Sequence, residues 1–340
     1  MSHSSLRSSR VVGTGSHFPE KVLTNIDLEK MVDTSDEWIT TRTGIRERRI
    51  ASAGEACSDL ALAAAQRALT MAGVAAGDLD AVVVGTISGD MQFPATAVLV
   101  QDRLGATNAA ALDLSAACSG FIYGVSIAHG MIASGQMERI LVVGAETLSK
   151  FVDWEDRATC VLFGDGAGAA VMEACPRGEG VLATYMKSDG SLADLLCIPG
   201  GGSRSPLAES THAARLHYIK MKGDGVFKFA VRAMADATRQ VLEEADCTLD
   251  QVALVVPHQA NIRIIDAVAE RLGLPTEKIA VNLDRYGNTS SATIPTAFDE
   301  AVRAGRLAPG DLVVFTGFGG GFTWGSVLLR NILDGKDRPR

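Results

Sequence analysis

Three residues in this chain could share one reaction: Cys118 in Ala116-Ala117-Cys118-Ser119-Gly120-Phe121, His258 in Pro257-His258-Gln259-Ala260-Asn261, and Asn288 in Gly287-Asn288-Thr289-Ser290. The nucleophilic form of cysteine is the thiolate, which is favoured where unpaired backbone N–H groups and the positive end of a helix dipole face the sulfur. Cys118 follows the apolar run Ala111-Leu112-Asp113-Leu114 and precedes a helical pattern. That order predicts a strand-to-helix turn, a thiol pKa lowered toward neutrality, and amides able to hold an oxyanion. Ala116, Ala117 and Gly120 would leave room for a substrate. A free cysteine is also a common core residue, so the turn alone does not separate nucleophile from filler. His258 ends a valine-rich run just before a helix, where open α/β sheets carry ligands, although a lone histidine is more often structural. Asn288 taken singly reads as a turn or N-cap residue. Phe318-Gly319-Gly320-Gly321-Phe322 could bring one more amide to an oxyanion, or could be a tight turn.

These groups must be positioned by the elements around them. Ala81-Val82-Val83-Val84-Gly85, Ile140-Leu141-Val142-Val143-Gly144, Val252-Ala253-Leu254-Val255-Val256 and Leu312-Val313-Val314-Phe315 read as buried strands. Stripes of roughly 3.6 period over 60–72, 121–134, 226–245, 262–272 and 293–304 read as helices. The fold class is α/β. Matching segments recur in the same order at an offset near ~170 residues, too long for a solenoid. Asp78-Leu79-Asp80-Ala81-Val82 resembles Leu249-Asp250-Gln251-Val252, Arg103-Leu104-Gly105 resembles Arg271-Leu272-Gly273, and Ala133-Ser134-Gly135 resembles Arg303-Ala304-Gly305. Two similar halves, 1–180 carrying the cysteine and 181–340 carrying His258, Asn288 and the glycine run, are expected to pack face to face.

Composition excludes other functions. The chain has 340 residues, 47% hydrophobic and 21% charged, with a net charge of −8 that offers no basic field for nucleic acid or anionic membrane. Six single cysteines (57, 118, 160, 175, 197, 247) form no C-x-x-C pair, which predicts a reduced, cytoplasmic protein without a zinc site or other metal. No signal-like h-region or membrane-spanning apolar run is present, and the charged tail from Asp334 is expected to fray. Phe163-Gly164-Asp165-Gly166-Ala167-Gly168 lacks the spacing of a dinucleotide loop and reads as packing glycines.

Together with Asp33-Thr34-Ser35-Asp36-Glu37-Trp38-Ile39, Val152-Asp153-Trp154 and Phe322-Thr323-Trp324-Gly325-Ser326, these motifs resemble β-ketoacyl-acyl-carrier-protein synthase III from about Val11 to Leu329. The resemblance implies a thiolase fold, two duplicated α/β halves in five αβαβα layers, assembled as a homodimer. It implies decarboxylative condensation of an acyl-CoA primer with malonyl-acyl-carrier protein, with no cofactor, through an acyl-cysteine on Cys118. His258 and Asn288 would stabilise the enolate, and the amides of Cys118 and Gly320 would form the oxyanion hole. Trp38, Arg42 and Arg157 would grip the CoA nucleotide, with adenine between the indole and guanidinium planes. Phe163, Gly223, Asp224, Phe227, Ala230, Asn261 and Phe318 would line the path to the cysteine. Phe93 would cross the dimer to close the partner's acyl pocket, and Lys228, Arg263 and Arg271 would meet the acidic acyl-carrier protein. Asp224 stands where the family commonly has asparagine, 199–216 looks like a flexible variable stretch, and Thr316-Gly317 precedes Phe318 where alanine is usual; the last two could alter acyl choice. A related condensing enzyme or acyltransferase of specialised metabolism would use the same three residues.

Overall fold

Runs such as Ala81-Val82-Val83-Val84 are apolar on both faces, so in an α/β chain they demand helices above and below the sheet. The structure, a computed structural model describing residues 7–336, covers them in this way. Chain order is β1 (Arg7–His17), β2 (Lys21–Thr24), α1 (Asn25–Leu28), α2 (Asp36–Thr43), β3 (Glu47–Ile50), α3 (Cys57–Ala72), β4 (Ala81–Gly85), α4 (Thr96–Leu104), β5 (Ala110–Leu114), α5 (Gly120–Ala133), β6 (Arg139–Thr147), α6 (Arg157–Cys160) and β7 (Asp165–Pro176). It continues with β8 (Val181–Ser188), β9 (Leu196–Cys197), α7 (Glu209–Ala213), β10 (Lys220–Met221), α8 (Gly223–Glu244), β11 (Val252–Pro257), α9 (Ile262–Leu272), α10 (Leu283–Tyr286), α11 (Thr293–Arg303), β12 (Leu312–Gly319) and β13 (Thr323–Arg330).

Two sheets carry the architecture. One runs β1-β7-β6-β4-β5, the other β8-β13-β12-β11. In the first, β4 and β6 are parallel while β6, β7 and β1 alternate in direction; in the second, β11 and β12 are parallel while β12, β13 and β8 alternate. The same order and direction therefore occur twice. Strand β5 has no full counterpart, its place being reduced to a single parallel bridge between Val255 and Ile279. The repeated segments fall on equivalent joints, and α4 and α9 both end in a glycine with φ 72°. Helices α3 and α4 cover the outside of the first sheet, α5 and α11 lie between the sheets, and α8 and α9 cover the second. This is the five-layer arrangement. The middle layer is one continuous core, in which Phe121 and Phe298 meet Phe315.

Helices α3 and α8 each start three residues earlier than their apolar periodicity, because their first turns are not periodic; in α3 the Asp59 carboxylate accepts the Ala56 N–H. Segment 199–216, expected to be flexible, contains α7 and closes with Gly200 N–H donating to Leu216 O at 2.7 Å. Arg215 ties it to Asp153. The expected frayed end from Asp334 falls partly outside the described residues.

The halves touch closely where β6 meets the turn Ser290–Ala292. A Cβ on Gly144 would lie 2.2 Å from Ser291 O, which no side chain can accommodate. Gly144→Ala is expected to lower folding stability by about 1–3 kcal/mol, measured by urea unfolding; an unchanged midpoint would show that the seam yields.

Candidate active site

Cys118 sits on the 3₁₀ turn Ala117–Ser119, between the end of β5 and the start of α5. The turn is tight enough to put Ala117 at φ 45°, uncommon for a residue with a side chain. It is clasped from the other half. Thr323 Oγ1 donates to Ala116 O at 2.8 Å, and Ser119 Oγ donates to Thr323 O at 3.0 Å. A Cβ on Gly319 of β12 would stand 2.6 Å from Cys118 N, so only glycine lets the strand lie against the nucleophile's backbone. Gly120 plays a different part from the one expected: its missing side chain lets α5 approach Gly85 of β4 and Ser291, rather than opening space for substrate. Ala116 and Ala117 do line open space.

His258 follows β11 and is fixed twice. Its backbone N–H donates to Thr316 O at 2.8 Å, and its Nδ1 lies 2.7 Å from Thr293 Oγ1 at the start of α11. Gln259 locks the turn by bonding Pro257 O, Ala280 O and Asn282 N. Asn288 is held by its backbone between Leu162 and Gly164, and its Oδ1 accepts the Ser290 N–H at 2.8 Å. This is the turn reading of Asn288, and it leaves the side-chain NH₂ as the donor free for other work.

Two cavities meet at Cys118. The larger, about 430 Å³, is mostly apolar and takes in Ile87, Ala116, Ala117, Leu148, Ala193 and Gly320; the smaller, about 140 Å³, brings His258 and Asn288 to the same sulfur. Phe163 lines both. Gly223, Phe227, Asn261 and Phe318 line the smaller one. Ala230 lines neither; it is a core residue behind α8. Asp224 lies on the first turn of α8, and its side chain is outside the described residues. Thr316, expected to bear on acyl choice, points into α8 and donates to Met234 O, while Gly317 backs His258.

Trp38, Arg42 and Arg157 cluster beyond the smaller cavity, with Asn261 Nδ2 donating to Arg42 O at 3.0 Å. The two guanidinium groups stand 5.0 and 4.9 Å from the Trp38 ring centroid, so each stacks on the indole itself. No gap for an adenine is held open between Trp38 and either arginine. Lys228 and Arg263 are exposed on α8 and α9, and Arg263 packs over Phe227 at the cavity wall. Arg271 lies eight residues further along α9, about 12 Å at ~1.5 Å per residue, away from that mouth. Phe93 is 84% exposed and lines neither cavity of its own chain.

The electrostatics overturn one expectation. Cys118 is 7% exposed, and burial pushes its thiol up to about 12 instead of down; the Ser290 hydroxyl offsets part of that rise and the carboxyl of Glu146 adds to it. Burial alone lowers His258 to about 3, so the ring is neutral. Ser290, Thr293 and Glu146 adjoin the site without having been singled out by the sequence: Ser290 is visible there only as part of a motif, and Glu146 as an isolated acid at a strand end. Among the described residues no cluster of three or more His, Cys, Asp or Glu is placed to hold a metal, and no helix is long and apolar enough to cross a membrane. All six cysteines are free.

Residues 112–190 match the family described as 3-Oxoacyl-[acyl-carrier-protein (ACP)] synthase III, and residues 242–331 match its C-terminal family. The chain is 55% identical over 325 residues to a Beta-ketoacyl-[acyl-carrier-protein] synthase III of Symbiobacterium thermophilum, covering 96% of this chain and 98% of that protein. It is 53% identical over 320 residues to the synthase III of Caldanaerobacter subterraneus, covering 94% and 97%. The crystal structure of 3-oxoacyl-[acyl-carrier-protein] synthase III from Aquifex aeolicus superposes with a TM-score of 0.89 at 50% identity, covering 95% of this chain and all of that one.

A histidine whose folded pKa is about 3 against 6.5 binds its proton more weakly folded than unfolded, so its contribution to stability is intact above pH 6.5 and is lost as pH falls toward 3. Equilibrium unfolding across that window is expected to lose up to about 1.4 kcal/mol per pH unit from this group. In His258→Gln that component should vanish; an identical pH slope in both proteins would contradict the buried, neutral ring.

Proposed function

The chain belongs to the 3-oxoacyl-[acyl-carrier-protein] synthase III family, and we propose that Cys118, His258 and Asn288 carry that family's condensation in two half-reactions. The enzyme is a condensing acyltransferase of fatty-acid initiation, joining an acyl-CoA primer to malonyl-acyl-carrier protein. The observation that supports the residue assignment is convergence: a thiol, an imidazole and an amide from distant parts of the chain wall one narrow cavity at the seam of the two halves.

In the first half-reaction Cys118 Sγ attacks the primer thioester, the oxyanion is met by the amides of Cys118 and Gly320, and CoA leaves. The larger apolar cavity takes the acyl chain. In the second, malonyl-acyl-carrier protein enters along the smaller cavity and loses CO₂. Negative charge then moves onto its thioester oxygen, where Asn288 NH₂ and His258 donate hydrogen bonds, and the enolate carbon attacks the acyl-cysteine. A neutral imidazole donates from one nitrogen only. Thr293 Oγ1 lies 2.7 Å from Nδ1 and also reaches Ser290 O at 2.9 Å, so the proton sits on Nε2, facing the substrate, when that single hydroxyl proton is turned to Nδ1. Loss of CO₂ itself generates the carbanion, so the chemistry calls for neither cofactor nor strong base.

The same reading assigns the surface. Trp38, Arg42 and Arg157 meet the CoA nucleotide, the stacked arginines parting or offering their outer faces to adenine, and Lys228 and Arg263 meet the acidic carrier protein. Exposed Phe93 and Met91 stand near β5, whose outer edge is unpaired in the single chain. Such an edge is a template for another copy, which supports a homodimer in which Phe93 of the partner subunit closes the acyl cavity. The free cysteines support a reducing, cytoplasmic setting. The division into halves at about residue 180 belongs to this reading as well.

Incubation with acyl-CoA is expected to add one acyl group to the intact mass, on Cys118, and Cys118→Ala should abolish it; an unmodified wild-type mass removes the proposal. His258→Ala and Asn288→Ala should still acylate but release CO₂ from malonyl-acyl-carrier protein about a hundred to a thousand times more slowly. 3-Ketoacyl product separates this reading from transfer to a hydroxyl or amine, which would give an ester or amide.

A further inference from the structure

Arg48, on β3, is the largest fully buried side chain among the described residues, and it is a cation. Burial lowers its pKa to about 10, so at neutral pH the guanidinium keeps its charge. Among the described residues it forms no ion pair. Its partners are neutral oxygens: Nη1 donates to Leu23 O at 3.1 Å and to Asn25 Oδ1 at 2.9 Å, Nη2 donates to Val161 O at 2.8 Å, and Nε has no partner. Taking a charge out of water without a counter-ion is costly, and a position that needed only filling would be met better by an apolar side chain of similar volume.

The two ends of the fork reach different parts of the chain. Nη1 is anchored. Leu23 is the register partner of Arg48 across the β2–β3 ribbon, and Asn25 is 1% exposed and itself pinned, its Nδ2 donating to Asp36 Oδ1 of α2 and to Ile45 O, both at 2.8 Å. Nη2 reaches Val161, 113 residues further along the chain. Val161 begins the segment from which Asn288 is hung: Leu162 O accepts the Asn288 N–H at 2.9 Å, Asn288 O accepts the Gly164 N–H at 3.0 Å, and Phe163 pairs with Asn288 as an isolated parallel bridge. The stem of Arg48 packs against both strands of that bridge, since a Cβ on Gly164 would lie 3.0 Å from Arg48 Cβ and one on Gly287 3.3 Å from it.

We propose that Arg48 is a positioning residue for the decarboxylating half-reaction. Its fork holds 161–164 at a fixed distance from the anchored ribbon, and the bridge passes that position to the Asn288 amide. This rests on the role given above to Asn288. The Asn288 NH₂ is aimed by its backbone and by the bond from Ser290 N–H to Oδ1, so a shift of the bridge moves the donor away from where the enolate oxygen forms. A planar guanidinium suits the task because its two outer nitrogens donate in two fixed directions, whereas a lysine ammonium is a single point charge. Arg48 itself lines neither cavity at Cys118, so it acts through Asn288 and not on substrate.

The test follows the two half-reactions apart in the full-length protein: CoA release from saturating acetyl-CoA, and CO₂ release from malonyl-acyl-carrier protein by the acetylated enzyme. Arg48→Lys and Arg48→Gln are each expected to release CO₂ about ten to a hundred times more slowly, while CoA release stays within about twofold of wild type. Arg48→Gln leaves no charge to desolvate, so it decides the matter if Arg48→Lys fails to fold. Each change is then repeated on Asn288→Ala, where it is expected to slow CO₂ release by no more than about twofold further, because the group it positions is gone. The inference is overturned if the Arg48 variants release CO₂ at the wild-type rate, if both half-reactions slow by the same factor, or if the losses multiply on Asn288→Ala; the last two mark a general structural defect. CO₂ release from Asn288→Ala itself at the wild-type rate would instead overturn the role given to Asn288.

Discussion

The structure depends on one contact between its halves: a glycine of β12 laid against the backbone of the nucleophile turn. At Gly319 a side chain would strike Cys118 N, and on either side of that approach Thr323 donates to Ala116 O and accepts from Ser119, which binds the turn to β13. The cysteine belongs to one half, while the strand that shapes its turn, the histidine and the asparagine belong to the other. Duplication of a sheet order is what makes this possible. Each half presents the same parallel pair, β4 with β6 and β11 with β12, ending toward the shared middle layer, so that the ends of strands from both halves face one cleft.

Close packing at the seam has an electrostatic consequence. Desolvation favours whichever form of a group is neutral, which for the cysteine is the thiol and for the histidine the unprotonated ring. The same cause therefore raises one pKa and lowers the other, and the site rests without a net charge on either residue. Charge appears there only during the reaction, in surroundings where a fixed donor interacts with it more strongly than in water. The backbone amide of Cys118 still favours the thiolate, but it does not outweigh the burial.

Much of this was legible in the sequence, because adjacency in the chain determines it. Cys118 between an apolar run and a helical stripe had to be at a strand-to-helix turn, and His258 after Val252-Ala253-Leu254-Val255-Val256 had to be at a strand end. The ordered recurrence of short segments at a constant offset anticipated the repeated sheet. What could not be read depends on residues distant in sequence. The direction of the Cys118 pKa follows from burial at a seam that neighbouring residues do not reveal. Gly120 is small because Gly85 and Ser291 press against it, not because a substrate does. Ala230 looked like a tunnel residue by resemblance, yet helix phase turns it into the core. The direct stacking of both arginines on Trp38 likewise depends on how α2 and α6 meet.

The central claim is that the dry seam holds its cysteine as a neutral thiol until substrate arrives. Infrared difference spectroscopy between wild type and Cys118→Ala at neutral pH, in the S–H stretching region, reads that protonation state directly. The expected result is one S–H band present in wild type and absent from the variant. A flat difference spectrum would mean that Cys118 rests as a thiolate, and the description of the site as a desolvated, uncharged junction would be wrong.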